Sequence, residues 1–373
     1  MKRTLSFVLA LAMIFGLTAC GGNSEESKAP ENSVAAEVSQ APDAAPEDNS
    51  DQPVTENTRV LKVATQNTTT TINYIIYQEF SRILYEKTDG RYKLEIYPNG
   101  QLGTEETCLQ QVLTGTLDML PVSTTTLGNV VPECNIFAFP FMIESFEVYN
   151  DFALDEEFRT ALFDAIKEQT GCQALGFGYG VGRGVGNTKH EVRTTADLKG
   201  MKVRTLGNPI IIDTFNAFGA TATSIPFKEV YTSLSQNLID GEDSTISNNL
   251  DQRFCEINRY YTVLNTIFQN AVMLVSEDVW NSIPAEDQAI FIECGQLMDE
   301  YGFAMCETHV DEEIERAAEE APDFKITNDL TAEEKATFVE VAKPLWDKYK
   351  DDCGAEFFDF AYGICEKYNE KYR

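Results

Sequence analysis

Residues 201–243, MKVRTLGNPIIIDTFNAFGATATSIPFKEVYTSLSQNLIDGED, decide the fold class. Residues 201–205 read as a short strand. Residues 209–218 follow with apolar side chains at helical spacing, and Pro209 sits in the first turn, where a missing N–H removes no bond. Residues 220–224 read as a second strand, 228–236 as a second helix and 238–243 as a third strand. Strands alternating with helices predict an α/β domain. The same scheme occurs once more upstream. Residues 59–65 form a strand pattern, and Ile72, Ile76, Phe80, Ile83 and Leu84 then mark a helix that Asp89-Gly90 stops. Residues 92–97 alternate like a strand and end in Pro98-Asn99-Gly100; residues 105–113 read as a helix and 117–122 as a buried strand.

Ligands of open α/β sheets sit beyond the carboxyl ends of the strands. That rule selects residues 66–71, 123–126, 204–208, 224–227 and 243–247. These tips carry amides, hydroxyls, one arginine and one phenylalanine, without the crowded carboxylates of a glycosidase.

Two segments outside the repeats carry information of their own. Residues 285–321 keep Ile290, Cys294, Leu297, Met298, Tyr301, Met305, Ile314 and Ala318 near helical spacing, between Pro284 and Pro322. A single helix there would span ~54 Å, longer than one domain. The alternative is two helices broken near Gly302. Glycine occupies every second position from Gly176 to Gly186. No register of that run supplies the offsets of a dinucleotide fingerprint. As a strand it would place all six glycines on one face, open to close backbone approach, and carry Arg183 toward a cleft. The alternative is a flexible glycine loop.

The chain begins with an address. Lys2 and Arg3 precede an apolar run over residues 5–17, too short at ~1.5 Å per residue to cross a hydrocarbon core. Residues 1–19 therefore read as a signal peptide. Leu17-Thr18-Ala19-Cys20 resembles a bacterial lipobox, which makes Cys20 a lipidated N-terminus holding the chain at the outer face of a membrane. The alternative is a plain signal peptide with an incidental cysteine. Residues 20–58 hold nine acidic residues against one base, Lys28, with almost nothing large and apolar to bury, and read as a disordered tether.

Composition removes several function classes. The 373 residues include 60 acids and 29 Lys and Arg, for a net charge of −31, a surface that repels phosphate backbones and excludes nucleic acid as a partner. Only two histidines are present, His190 and His309, so a multi-histidine metal centre cannot form, and no cofactor is expected. A secreted hydrolase would need a nucleophile with a base. No G-x-S-x-G elbow occurs, and neither histidine has an evident serine or cysteine partner. Besides Cys20 there are eight cysteines, an even count that permits disulfides outside the cytoplasm. Cys294 and Cys306 would lie ~18 Å apart along one continuous helix and could not bond. Buried free thiols are the alternative.

Four stretches together resemble the extracytoplasmic solute-binding subunit of a tripartite ATP-independent periplasmic (TRAP) transporter, DctP type. They are Tyr97-Pro-Asn-Gly-Gln-Leu-Gly103 with Gly115-Thr-Leu-Asp-Met119; Val131-Pro-Glu133 with Phe139-Pro-Phe141; Thr195-Ala-Asp-Leu-Lys-Gly-Met-Lys-Val-Arg204; and Phe227-Lys-Glu-Val-Tyr231 with Leu238-Ile-Asp-Gly241. The resemblance covers residues 59 to about 320. It implies a two-domain, periplasmic-binding-protein-like α/β fold with a central cleft and a long domain-spanning helix. The division is residues 59–180 plus 271–310 against 181–270 plus 311–373. It implies binding without chemistry, of a small organic acid, and hand-over to the small and large permease subunits in the membrane. A ligand-binding sensor would use the same cleft. By position in the motifs, Arg204 is the arginine that holds the ligand carboxylate, Arg183 a second arginine and Phe227 an aromatic packed on the ligand. Gln66 and Ser123 match cleft positions. Where the family commonly has an asparagine, this chain has Ser244.

Overall fold

The computed structural model describes residues 52–373. The expected signal peptide, Cys20 and the expected tether as far as residue 51 lie outside the described residues. Residues 52–58, expected in the tether, are already tied to the body. The Tyr85 hydroxyl donates to the Pro53 carbonyl at 2.9 Å, and Thr58 Oγ1 to the Gly90 carbonyl at 2.9 Å.

The described strands, in chain order, are β1 (Arg59–Ala64), β2 (Tyr92–Tyr97), β3 (Met119–Ser123), β4 (Gln173–Ala174), β5 (Val181–Gly182), β6 (Gly184–Asn187) and β7 (Lys202–Thr205). They continue with β8 (Thr221–Ser224), β9 (Gly241–Ser244), β10 (Tyr260–Thr262), β11 (Phe268–Gln269), β12 (Ala271–Val275) and β13 (Lys325–Thr327). One sheet has the order β2-β1-β3-β12-β4, a second β13-β10-β6-β9-β7-β8, and β5 and β11 pair with each other between them in sequence. The two-sheet α/β architecture expected from the strand–helix repeats is present.

Within each sheet the strand–helix–strand units give parallel neighbours. β1 pairs with β2 from Arg59↔Tyr92 to Ala64↔Tyr97, and β7 with β8 from Lys202↔Thr221 to Thr205↔Ser224. The helix Ile72–Lys87 starts where Thr71 accepts the Tyr74 amide, and its Ile76, Phe80 and Leu84, four apart, are fully buried against the first sheet. The third strand of the second repeat is displaced from 238–243 to Gly241–Ser244. Asn237 takes positive φ and Leu238 lies 59% exposed in the turn before it.

Both sheets also contain antiparallel strands that the repeat does not announce. β12 inserts between β3 and β4, antiparallel to both, and β6 runs antiparallel to β9 and β10. β12 is AVMLV with every residue buried, so it lacks the alternation that marks a one-faced strand.

The long helix is continuous over Ala285–Glu320, ~54 Å by its 36 residues. It packs on the helix Ile72–Lys87 and on the short helix Ile246–Asp251 that follows β9. Gly302 does not break it. A Cβ at Gly302 would overlap the Gly178 carbonyl, so the glycine is there to let two backbones touch. The glycine run is therefore neither a free loop nor one strand. Residues 176–180 are irregular, Gly178 has φ +73°, and strand pairing resumes only at β5 and β6. Asp299 of the long helix accepts the Gly178 amide at 2.7 Å and also pairs with Arg159.

The C-terminal segment packs on both halves. Helices Ala332–Ala342 and Pro344–Tyr349 lie against the helix Pro209–Ala217 of the second half. The last helix, Ala355–Tyr372, instead packs on the first half: Asn369 Nδ2 donates to the Met142 carbonyl at 2.9 Å and the Phe358 and Phe139 rings are 4.7 Å apart. All eight described cysteines are free, and seven are buried.

Candidate ligand-binding cleft

Four of the five strand tips selected from sequence converge on one cavity of about 190 Å³, and residues 243–247 are not on its wall. The tips after β1, β3, β7 and β8 contribute Gln66, Ser123, Arg204 and Phe227. Arg183, between β5 and β6, reaches the same wall, as do Gln269 of β11 and Tyr179 of the glycine run. The two crossings between the halves thus form part of the cavity.

Arg204 is 4% exposed. Its Nε donates to the Ile225 carbonyl at 2.8 Å, and the guanidinium carbon lies 5.8 Å from the centre of the Phe227 ring. Phe227 in turn meets Phe254 edge-on at 5.9 Å. Among the described residues no carboxylate pairs with Arg204, so its terminal nitrogens are open. Burial, then the neighbouring Arg183, lower its pKa to about 10, which leaves it cationic at neutral pH. Phe227 thus backs the arginine that the motif assigns to the ligand.

Arg183 is differently placed. Its Nε and Nη2 hold the Asp243 carboxylate at 2.9–3.1 Å, and Nη1 donates to Gln269 Oε1. Its charge is balanced inside the protein.

Ser123 caps a short helix and lines the cavity, but its hydroxyl donates to Glu105 Oε2 at 2.8 Å and its amide to Glu105 Oε1 at 2.9 Å. Thr126 Oγ1 donates to the same carboxylate at 2.5 Å. Glu105 is a charged cavity residue that sequence reading misses. It stands in the first turn of a helix, where acids are common for electrostatic reasons alone. Gln66 Nε2 donates to the Gly103 carbonyl at 3.0 Å, which leaves Oε1 without a donor.

Ser244 is not on the cavity wall. It is 1% exposed, its carbonyl accepts the Tyr261 hydroxyl at 3.0 Å, and its Oγ accepts Asn248 Nδ2 at 3.1 Å. Asn248, one helical turn later, lines the cavity in its place. The Asn248 side chain stands on the Ser244 hydroxyl, so at this tip the wall is made by the next element.

A serine–histidine pair does exist. Ser247 Oγ lies 2.6 Å from His309 Nε2. It borders a cavity of about 10 Å³, the size of one water, and no carboxylate orients the other ring nitrogen among the described residues. Burial pushes the His309 pKa down to about 4. The pair joins the long helix to the second half and does not form a triad.

The family model of bacterial extracellular solute-binding protein, family 7 (DctP), matches residues 63–352. The C4-dicarboxylate-binding protein DctB of Bacillus subtilis is 25% identical over 280 residues, 74% of this chain and 78% of that protein. Among solved structures, the sugar acid binding protein DctPAm of Advenella mimigardefordensis, in complex with galactonate, superposes with a TM-score of 0.78 at 21% identity, covering 84% of this chain and 99% of that one. A TRAP periplasmic solute-binding protein of Haemophilus influenzae with bound L-gulonate gives 0.75 at 25% identity, covering 83% and 99%. The two sheets, the spanning helix and the matched span agree, and the chain belongs to the bacterial extracellular solute-binding proteins of family 7, the DctP family.

Proposed function

We propose that this chain is the extracytoplasmic solute-binding subunit of a TRAP-type transporter. It holds a small organic acid by its carboxylate on Arg204 and passes it to the membrane permease subunits. One observation carries the reading. Arg204 is a buried guanidinium with open nitrogens at the wall of the cavity, and its planar fork matches both oxygens of a carboxylate. Phe227 steadies that fork from one face, and Gln66 contributes a free carbonyl. Arg183 and Ser123 shape the wall through Asp243 and Glu105.

The rest of the wall favours a hydroxylated monocarboxylate. Glu105 and Glu106 both line the cavity, while of the other cations there Arg183 is paired with Asp243 and Lys228 is exposed. A second ligand carboxylate would meet more negative than positive charge. Gln66 Oε1, Asn67 Oδ1 and Asn248 Oδ1 receive no donor among the described residues, so a ligand carrying hydroxyls would satisfy them. In this reading no bond of the ligand is broken. Cys20 anchors the subunit to the membrane through lipid, and the two halves close over the acid.

A thermal-shift screen of the chain against L-gulonate, D-galactonate, D-glucuronate and succinate tests this. A ligand at 1,000 times its dissociation constant adds about 4.1 kcal/mol, a rise of several degrees. The hydroxylated monocarboxylates are expected to exceed succinate. No shift with any acid would remove the reading, and succinate alone would remove the hydroxylated class.

A further inference from the structure

β7 and β9 run parallel and place Arg204 directly opposite Glu242. Partners across neighbouring strands project to the same face of the sheet. Both are buried, Arg204 at 4% and Glu242 at 0% exposure. They make no hydrogen bond with each other. Glu242 Oε2 accepts Asn258 Nδ2 at 2.8 Å, while Oε1 is buried with no partner. Asn258 also bonds Asn249, so the groups packed on this carboxyl from the following helix and loop are neutral amides. The remaining charged or titratable neighbours are Asp243 on the same strand, balanced by Arg183, and the Tyr261 phenol of β10. Arg204 is therefore the uncompensated cation that acts on Glu242.

We propose that Glu242 is the proton partner of ligand binding. When a ligand carboxylate docks on Arg204 and cancels the guanidinium charge, the Glu242 carboxylate takes up one proton from solvent, and it gives that proton back when the ligand leaves. The proposal rests on Arg204 holding the ligand carboxylate.

The physics has a definite sign. Burial raises the Glu242 carboxyl to about 7, and the Arg204 charge holds it from rising further. Neutralising Arg204 removes that restraint, so the proton affinity of Glu242 goes up. Binding then draws in protons at neutral pH and weakens as pH rises above 7, by up to tenfold per unit while one full proton is linked. Below the ligand-free midpoint Glu242 is already protonated and affinity is flat.

Two measurements on the full chain test this. The first needs no ligand. Carboxyl carbon NMR of glutamate-labelled protein follows the Glu242 titration, identified by its loss in Glu242→Gln. In Arg204→Met its midpoint is expected to move up, while Glu313, a second buried carboxyl raised to about 7 beside Arg316, stays in place. An unmoved Glu242 midpoint overturns the proposal. The second is calorimetry with L-gulonate in phosphate and in Tris, buffers of low and high ionisation enthalpy. The unaltered chain is expected to take up protons at pH 7.5, and Glu242→Gln is expected to take up none and to bind without pH dependence. No uptake in the unaltered chain, or undiminished uptake in Glu242→Gln, also overturns it. If L-gulonate gives no binding heat, the assignment of that acid to the cleft fails, while the ligand-free titration still decides the linkage.

Discussion

Arg183 and Asp243 hold each other inside the protein, Nη2 to Oδ2 at 2.9 Å, with both side chains 1% exposed. Sixty residues separate them in sequence. The pair settles which of the two arginines at the cavity has a fork to offer, because Arg183 spends its nitrogens on Asp243 and Gln269 and Arg204 does not.

Breaking this pair is expected to cost stability more than binding specificity. Asp243→Ala leaves a buried guanidinium without its counter-charge, a loss of about 3–5 kcal/mol. Replacing both residues by methionine and leucine should cost less than either single change, because no isolated charge remains. Urea unfolding of the two single variants and the double variant checks this. Equal or additive losses would contradict it.

Arg204→Ala should behave in the opposite way. Binding of the acid found in the screen is expected to weaken by about 2–5 kcal/mol, or roughly 30- to several-thousand-fold. Arg204→Lys should recover part of this, since an ammonium cannot form two parallel bonds. Circular dichroism of both variants should match the parent. Binding by Arg204→Ala within about threefold of the parent would place the carboxylate elsewhere.

His309 should make stability depend on pH in a defined window. Its folded-state pKa of about 4 lies below the ordinary histidine value near 6.5, so the unfolded chain takes the proton first as pH falls. The stabilisation is whole above pH 6.5 and is lost between 6.5 and 4, by roughly 3 kcal/mol. Relative to the parent, His309→Gln should lose less stability across that window. Parallel stability curves for the two proteins would contradict the assignment.

Two glycine-to-alanine changes in helices should differ in sign. Gly302→Ala drives a methyl into the Gly178 carbonyl and is expected to destabilise by about 1–3 kcal/mol. Gly363, within Ala355–Tyr372, has no atom within 4 Å of a built Cβ, so Gly363→Ala should stabilise by about 0.5–1 kcal/mol. Thermal melts of both variants give the comparison.

Closure of the cleft should be visible in solution. The crossings β5 and β11 lie side by side, with Phe268↔Gly182 and Gln269↔Val181 paired, and are the natural place for two halves to bend. Small-angle scattering is expected to show a smaller radius of gyration at saturating acid. An unchanged radius would argue against hinged closure about these strands.

Much of this protein is legible in its amino-acid sequence. Apolar spacing encodes which way each segment buries its side chains, and it locates β1, β2, β7, β8 and the long helix to within a residue or two. The strand-tip rule then places Gln66, Ser123, Arg204 and Phe227 at one cavity, and the family motifs separate Arg204 from the other basic residues. Ser244 departs from its expected place because the Asn248 side chain, from the helix that follows, stands on its hydroxyl and takes the wall position. The antiparallel insertions β12 and β6 are short and fully buried, so no alternation of burial assigns them a place in their sheets. Those insertions set the order of both sheets, and the order decides which charges meet. That Asp243 quiets Arg183, that Glu105 claims Ser123, that Ser247 finds His309, and that Glu242 lies opposite Arg204 are facts of tertiary structure alone. A residue's own neighbours in sequence specify its conformation, but the electrostatic partner of a buried group comes from a distant segment, and only the packed chain brings the two together.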